Sequence, residues 1–168
     1  TTRNVEVKPV LFVHGLFCNS GMWVWAGKEM SMAYMMADQG IEVWLGTFRG
    51  GRGSDGHLTL GVDSDEYWAF SYDHVAQHDI PAMISHVLDT SGQDKINYVG
   101  HSMGGSTYFA MCNYRPDICK KRVNLILAVR LQKVRVIRRE VMSDHQVHHL
   151  QRRVLMGKTC SQLQRNIW

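Results

Sequence analysis

Apolar residues fall into short continuous runs separated by stretches with helical spacing. Val10–Val13 is wholly apolar and stops at His14-Gly15, the pattern of a strand buried on both faces that feeds a loop. The loop, residues 16–27, contains Trp23 and Trp25. Residues 28–39 are rich in Met and Ala and close at Gly40, which predicts a helix with a glycine terminator. Met30, Met32, Met35 and Met36 within it read as core packing in preference to a thioether metal site. Residues 41–45 predict a second strand, and the glycine-rich stretch 46–53 a turn at its end, without the GKS/T ending of a phosphate-binding loop. Residues 54–72 are polar and loop-like and end in Tyr67, Trp68, Phe70 and Tyr72. Val75, Ile80, Ile84, Val87 and Leu88 give residues 73–90 a helical period, with Pro81 marking a kink or a restart and Ser91-Gly92 the end. A third strand is expected over residues 96–99, a helix over 102–113 and a fourth strand over 123–128. Strands alternating with helices of about a dozen residues imply an α/β fold, a parallel sheet with helices on both faces.

Composition narrows this picture. The 168 residues, 45% apolar and 10% aromatic, suit one domain with a real core. No apolar run reaches the roughly 18 residues that span a bilayer, and no signal peptide is visible. The first residue is Thr rather than Met, so a preceding segment is expected. Cys18, Cys112, Cys119 and Cys160 form no CxxC pair or zinc spacing; disulfides and buried thiols both remain open. There is no N-x-S/T acceptor. The net charge of +4 hides an asymmetry: residues 1–128 carry ten basic and thirteen acidic side chains, residues 129–168 nine and two. The chain therefore divides into a main portion, 1–128, and a basic tail, 129–168, helical or disordered.

The chemistry lies at Gly100-His101-Ser102-Met103-Gly104, a G-x-S-x-G motif. The motif is short, and its context decides its meaning: it follows an apolar strand and opens a helix, the setting of a nucleophile elbow. Ser102 must sit on a sharp turn that lifts its hydroxyl above the sheet. Strand and helix backbones approach closely there, so Gly100 and Gly104 must lack side chains. Such a serine also needs donors for the oxyanion, each worth roughly 3–4 kcal/mol. The backbone N–H of Met103 is one candidate, and that of Leu16, on the loop after the first strand, the other. His14 could instead act as a base, but it sits on the oxyanion loop itself.

Four segments, LFVHGLFCNSGMW, GIEVWLGTFRGG, YWAFSYDHVAQHDIPAMISHVL and INYVGHSMGGS, together resemble the acid-lipase family of α/β-hydrolases, the lysosomal and gastric lipase type. The resemblance covers about residues 9–128. It implies an incomplete α/β-hydrolase fold and hydrolysis of neutral lipid esters, triacylglycerols or sterol esters, in lipid catabolism. It also implies Ser102 as nucleophile, Leu16 and Met103 as oxyanion-hole amides, and a secreted or lysosomal location. The elbow reads Ser-Met-Gly-Gly where that family often has Ser-Gln-Gly-Thr; Met103 would donate through its backbone, so the hole survives the change.

In this fold the triad runs Ser, then Asp or Glu, then His. One strand alone is expected after the elbow, so the triad acid and base are expected to be absent from this chain. In the tail, Asp144, His145, His148 and His149 are the substitutes on offer, in Arg-rich sequence with no strand before them. His74 and His78 have i,i+4 spacing without the Glu of a zinc motif, so no metal and no cofactor is expected. The alternative is an inactive shortened product that binds membranes or partners through basic amphipathic tail helices. The Arg-rich tail could also fit phosphates, but no recognition motif or interleaved stacking aromatics accompany it, so no nucleic-acid partner is expected.

Overall fold

The computed structural model describes residues 7–129. The tail beyond Val129, with Asp144, His145, His148, His149 and the proposed amphipathic helices, lies outside the described residues. Four parallel strands, β1 (Val10–Val13), β2 (Val43–Gly46), β3 (Ile96–His101) and β4 (Val123–Val129), form one sheet in the order β2-β1-β3-β4. In register, Val13 of β1 lies beside Gly46 of β2 and Gly100 of β3.

Alternate residues of a strand point to opposite faces, and β1 serves two cores. Leu11 and Val13 pack with Ile80, Ile84, Val87, Ile96, Tyr98 and Met111 on one face. Val10 and Phe12 pack with Trp23, Ala33 and Val99 on the other. The first face is covered by α3 (Ile80–Ser91), α4 (Met103–Tyr114) and α5 (Pro116–Arg122). The second is covered by a 3-10 turn (Ser20–Trp23) and α1 (Met32–Asp38). Helices thus lie on both faces, as the alternation of patterns implied.

Several boundaries differ from the sequence reading, each for a physical reason. The first helix begins at Met32, because Ser20–Trp23 and the turns after it occupy the preceding residues. The methionines of this segment are not uniformly core: Met36 packs on the second face, but Met35 is 55% exposed, and Met30, in the turn before the helix, is 77% exposed. One face of this short helix meets the sheet, and the Met35 thioether lies off it. The second strand runs Val43–Gly46. The helix around Pro81 is three segments: α2 (Tyr72–His74), a π-helical turn (Val75–Asp79) and α3, with Pro81 in its first turn. Proline cannot donate to the carbonyl four residues back, and the hydrogen-bond register slips to π just ahead of it. The backbone stays in the right-handed helical region across both junctions, so Pro81 is accommodated by the π turn without a break in the helix. Helix α5 was not anticipated. It is short and polar, starts at Pro116, and is tied to α4 by the Cys112–Cys119 disulfide. The described cysteines include no free thiol.

The two kinds of position should respond differently to truncation. Ile84→Ala is expected to lower the unfolding free energy by about 2–5 kcal/mol, since Ile84 is fully buried. Met30→Ala should change it by less than about 0.5 kcal/mol. Urea titration of both variants checks this; equal losses would contradict the assignment of Met30 to the surface.

Candidate active site

From β1 the chain passes through α1 to β2 on one side; from β3 it passes through α4 to β4 on the other. The loops leaving β1 and β3 therefore diverge to opposite faces beyond the carboxyl ends of these adjacent strands, the topological switch point of the sheet. In open α/β sheets that is where ligands bind. The loop after β1 begins with His14-Gly15-Leu16, and the turn after β3 is Ser102.

Ser102 has φ 51° and ψ −113°, a region in which side chains are strained. It is one of two non-glycine residues with positive φ among those described, the other being Phe17. The strain, about 1–3 kcal/mol, is offset by bonds on all sides. The Ser102 amide donates to the Val129 carbonyl at 2.9 Å, and its own carbonyl accepts from the amides of Gly105 and Ser106, both at 3.1 Å. The Tyr98 hydroxyl donates to the Gly104 carbonyl at 2.8 Å, and Thr107 Oγ1 to that of Met103 at 2.8 Å.

Close approach explains the motif's glycines. A Cβ on Gly100 would come within 2.6 Å of the Gly105 nitrogen, and one on Gly104 within 2.6 Å of the Val13 and His14 carbonyl oxygens. The same packing brings the β1 loop to the serine: a Cβ on Gly15 would lie 3.2 Å from Ser102 Cβ. Ser102, Gly15-Leu16 and Met103 are thus brought together. Met103 opens α4, so its amide is one of the first-turn N–H groups that the helix itself leaves unbonded. The positive end of the helix dipole lies at the same point and favours negative charge there.

The β1 loop is a tight turn in which the Cys18 amide donates to the Gly15 carbonyl at 3.2 Å, with Phe17 at φ 62°. That combination is the mark of a type II turn. His14, the alternative base, is fully buried against the Phe48 ring at 4.0 Å. Its Nδ1 lies 2.7 Å from the Gly15 carbonyl oxygen. It makes no hydrogen bond to Ser102, and among the described residues no histidine does.

One group escaped the sequence reading. Asp79, in the π turn, accepts from the Arg49 amide and from Arg49 Nε, both at 2.8 Å, and pins the glycine-rich turn after β2. Nothing in a single sequence pairs two positions thirty residues apart. His74 is accounted for locally: its Nδ1 accepts from the Ser71 amide at 2.8 Å, closing a capping box. Among the described residues no cluster of three or more His, Cys, Asp or Glu is placed to hold a metal ion.

The family described as alpha/beta hydrolase fold matches residues 8–128. The chain belongs to that family. As an α/β-hydrolase it is 43% identical over 123 residues to Lipase 1 of Drosophila melanogaster, covering 73% of this chain and 28% of the relative. It is 42% identical over 123 residues to lysosomal acid lipase/cholesteryl ester hydrolase of Homo sapiens, covering 73% and 31%. With gastric triacylglycerol lipase of Rattus norvegicus it shares 39% over 121 residues, covering 71% and 31%. These relatives bear out the resemblance to acid lipases. The chain spans about a third of the length of the curated relatives it matches.

Two measurements probe the α/β-hydrolase elbow directly. Ser102→Gly should exceed Ser102→Ala in unfolding free energy by about 1 kcal/mol, since glycine accepts the positive φ without strain. Equal stabilities in urea titration would mean that the turn is relaxed. The second concerns His14, which burial lowers from an ordinary 6.5 to about 4, with His101 adding to the shift and the Gly15 bond opposing it. The unfolded chain thus takes up a proton near pH 6.5 that the folded chain refuses until about pH 4, so stability falls as pH drops through that window. His14→Asn should remove on the order of 3 kcal/mol of this fall, read as the difference in unfolding free energy between pH 7 and pH 4. An unchanged slope would overturn it.

Proposed function

We propose that the chain carries the nucleophile half of a lipase-like carboxylic ester hydrolase acting on neutral lipids, triacylglycerols or sterol esters. In this reading Ser102 is the nucleophile. Its oxygen adds to the ester carbonyl, the amides of Leu16 and Met103 receive the charge that develops on the carbonyl oxygen, and cleavage of the acyl C–O bond releases the alcohol, which takes up the proton lost by the serine, and leaves an acyl-enzyme. The observation that carries it is the strained Ser102 turn at the head of α4, packed against the Gly15–Leu16 loop. The lipase relatives supply the substrate class.

In this reading the triad acid and base are supplied from outside the described residues. A serine hydroxyl without a base is a poor nucleophile at neutral pH. The chain alone is therefore expected to hydrolyse esters barely. The Cys112–Cys119 disulfide supports an oxidising compartment, secreted or lysosomal. Trp25, Met30 and Met35, all exposed, give the α1 flank an apolar surface suited to peripheral contact with lipid.

Purified chain is assayed on a short-chain nitrophenyl ester, with Ser102→Ala as control. Loss of the base in a serine hydrolase costs about a million-fold in turnover, so the two should be nearly indistinguishable. Turnover of about one per second that vanishes in Ser102→Ala would refute the missing-base proposal, since ordinary enzymes reach that rate only with a complete site. The same preparation titrated with vesicles of brominated phospholipid should show quenched tryptophan fluorescence; unchanged emission would remove the lipid-contact proposal.

A further inference from the structure

The proposed site leaves one buried group without a task. His14 is fully buried, lies against the Phe48 ring and reaches no atom of Ser102 by a hydrogen bond. Its Nδ1 approaches the Gly15 carbonyl oxygen at 2.7 Å. A carbonyl can only accept, so Nδ1 carries the proton and Nε2 does not. The Gly15 oxygen also accepts from the Cys18 amide at 3.2 Å, which uses both of its lone pairs.

The consequence lies across the peptide bond. The Gly15 carbonyl and the Leu16 N–H belong to one planar trans unit and point in opposite directions. Fixing the carbonyl fixes the amide. Among the described residues nothing accepts from the Leu16 N–H, and Gly15 lies against Ser102. We propose that His14 is a positioning residue of the ester-hydrolysis site, holding the Gly15–Leu16 peptide so that the Leu16 amide stays turned toward the oxyanion position. Packing against Phe48 prevents the ring from swinging away, and the low proton affinity of the buried imidazole keeps the same tautomer in mildly acidic solution. This inference rests on the reading of Ser102 and Leu16 given above, and its test separates the two.

Three variants are compared: His14→Asn, whose amide nitrogen takes the place of Nδ1; His14→Gln, whose amide lies nearer Nε2; and His14→Phe, which keeps the ring packing alone. The first readout is the nitrogen-15 spectrum of the histidines with the Leu16 amide resonance, which needs no activity. Wild type should show the Nδ1–H tautomer, and His14→Asn should leave the Leu16 amide where it is while Gln and Phe move it. The second is the rate at which an alkyl fluorophosphonate labels Ser102, followed by mass, with Ser102→Ala as control. His14→Asn should label near the wild-type rate, and the Gln and Phe variants about a hundredfold more slowly, the effect of a displaced oxyanion donor.

Folded Gln and Phe variants with an unmoved Leu16 amide and wild-type labelling would overturn the proposal. So would an Nε2–H tautomer in wild type, a result that holds even where every variant fails to fold. Labelling that persists in Ser102→Ala would instead remove the nucleophile reading, while the spectra, which need no reactive serine, still decide the part played by His14.

Discussion

Backbone packed directly on backbone, without intervening side chains, sets the position of everything at the carboxyl end of this sheet. Gly104 at the head of α4 rests on the carbonyls of Val13 and His14, and Gly100 on the backbone of Gly104 and Gly105. A methyl group at either place would push α4 off the sheet. Because α4 begins at the end of β3 and β1 lies beside it, this contact fixes the serine, the amide after it and the neighbouring loop at once. The large side chains serve this arrangement from below: Tyr98 rises from β3 to bond the Gly104 carbonyl, and Met111 anchors the far end of α4 in the core.

The strain at Ser102 is therefore a local cost carried by a wide structure. It persists because its amide is tied to β4, its carbonyl to α4, and the next turn to Tyr98 and Thr107. Such over-determination is what holds a side chain in an unfavourable backbone region. The β1 loop repeats the device on a smaller scale: Phe17 stands at positive φ, and the turn is closed by bonds from Cys18 and His14 to one carbonyl.

How much of this could be read in advance depended on the range of the interaction. The four strands, the two-sided core and the glycine spacing are local patterns, and all were legible. Serine between two glycines after an apolar strand locates the elbow because steric demands act within five residues. Helix boundaries were less legible where the signal was not periodic. Residues 28–31 have helical composition, but turns take them up, and α5 carries too few apolar residues to announce itself. The exposure of Met35 was illegible because thioether hydrophobicity does not say which way a short helix faces, and that of Met30 because it lies in the turn before the helix. The Arg49–Asp79 pair and the part played by His14 depend on contacts that no spacing rule connects.

The outward-facing thioethers also make one flank of the molecule chemically vulnerable. Peroxide has ready access to the sulfur atoms of Met30 and Met35 and none to that of Met111, which is fully enclosed. Conversion to sulfoxide turns an apolar group into a polar one. Among the described residues, oxidation would thus begin as a change in the wettability of the flank formed by Met30 and α1, well before any damage reached the interior.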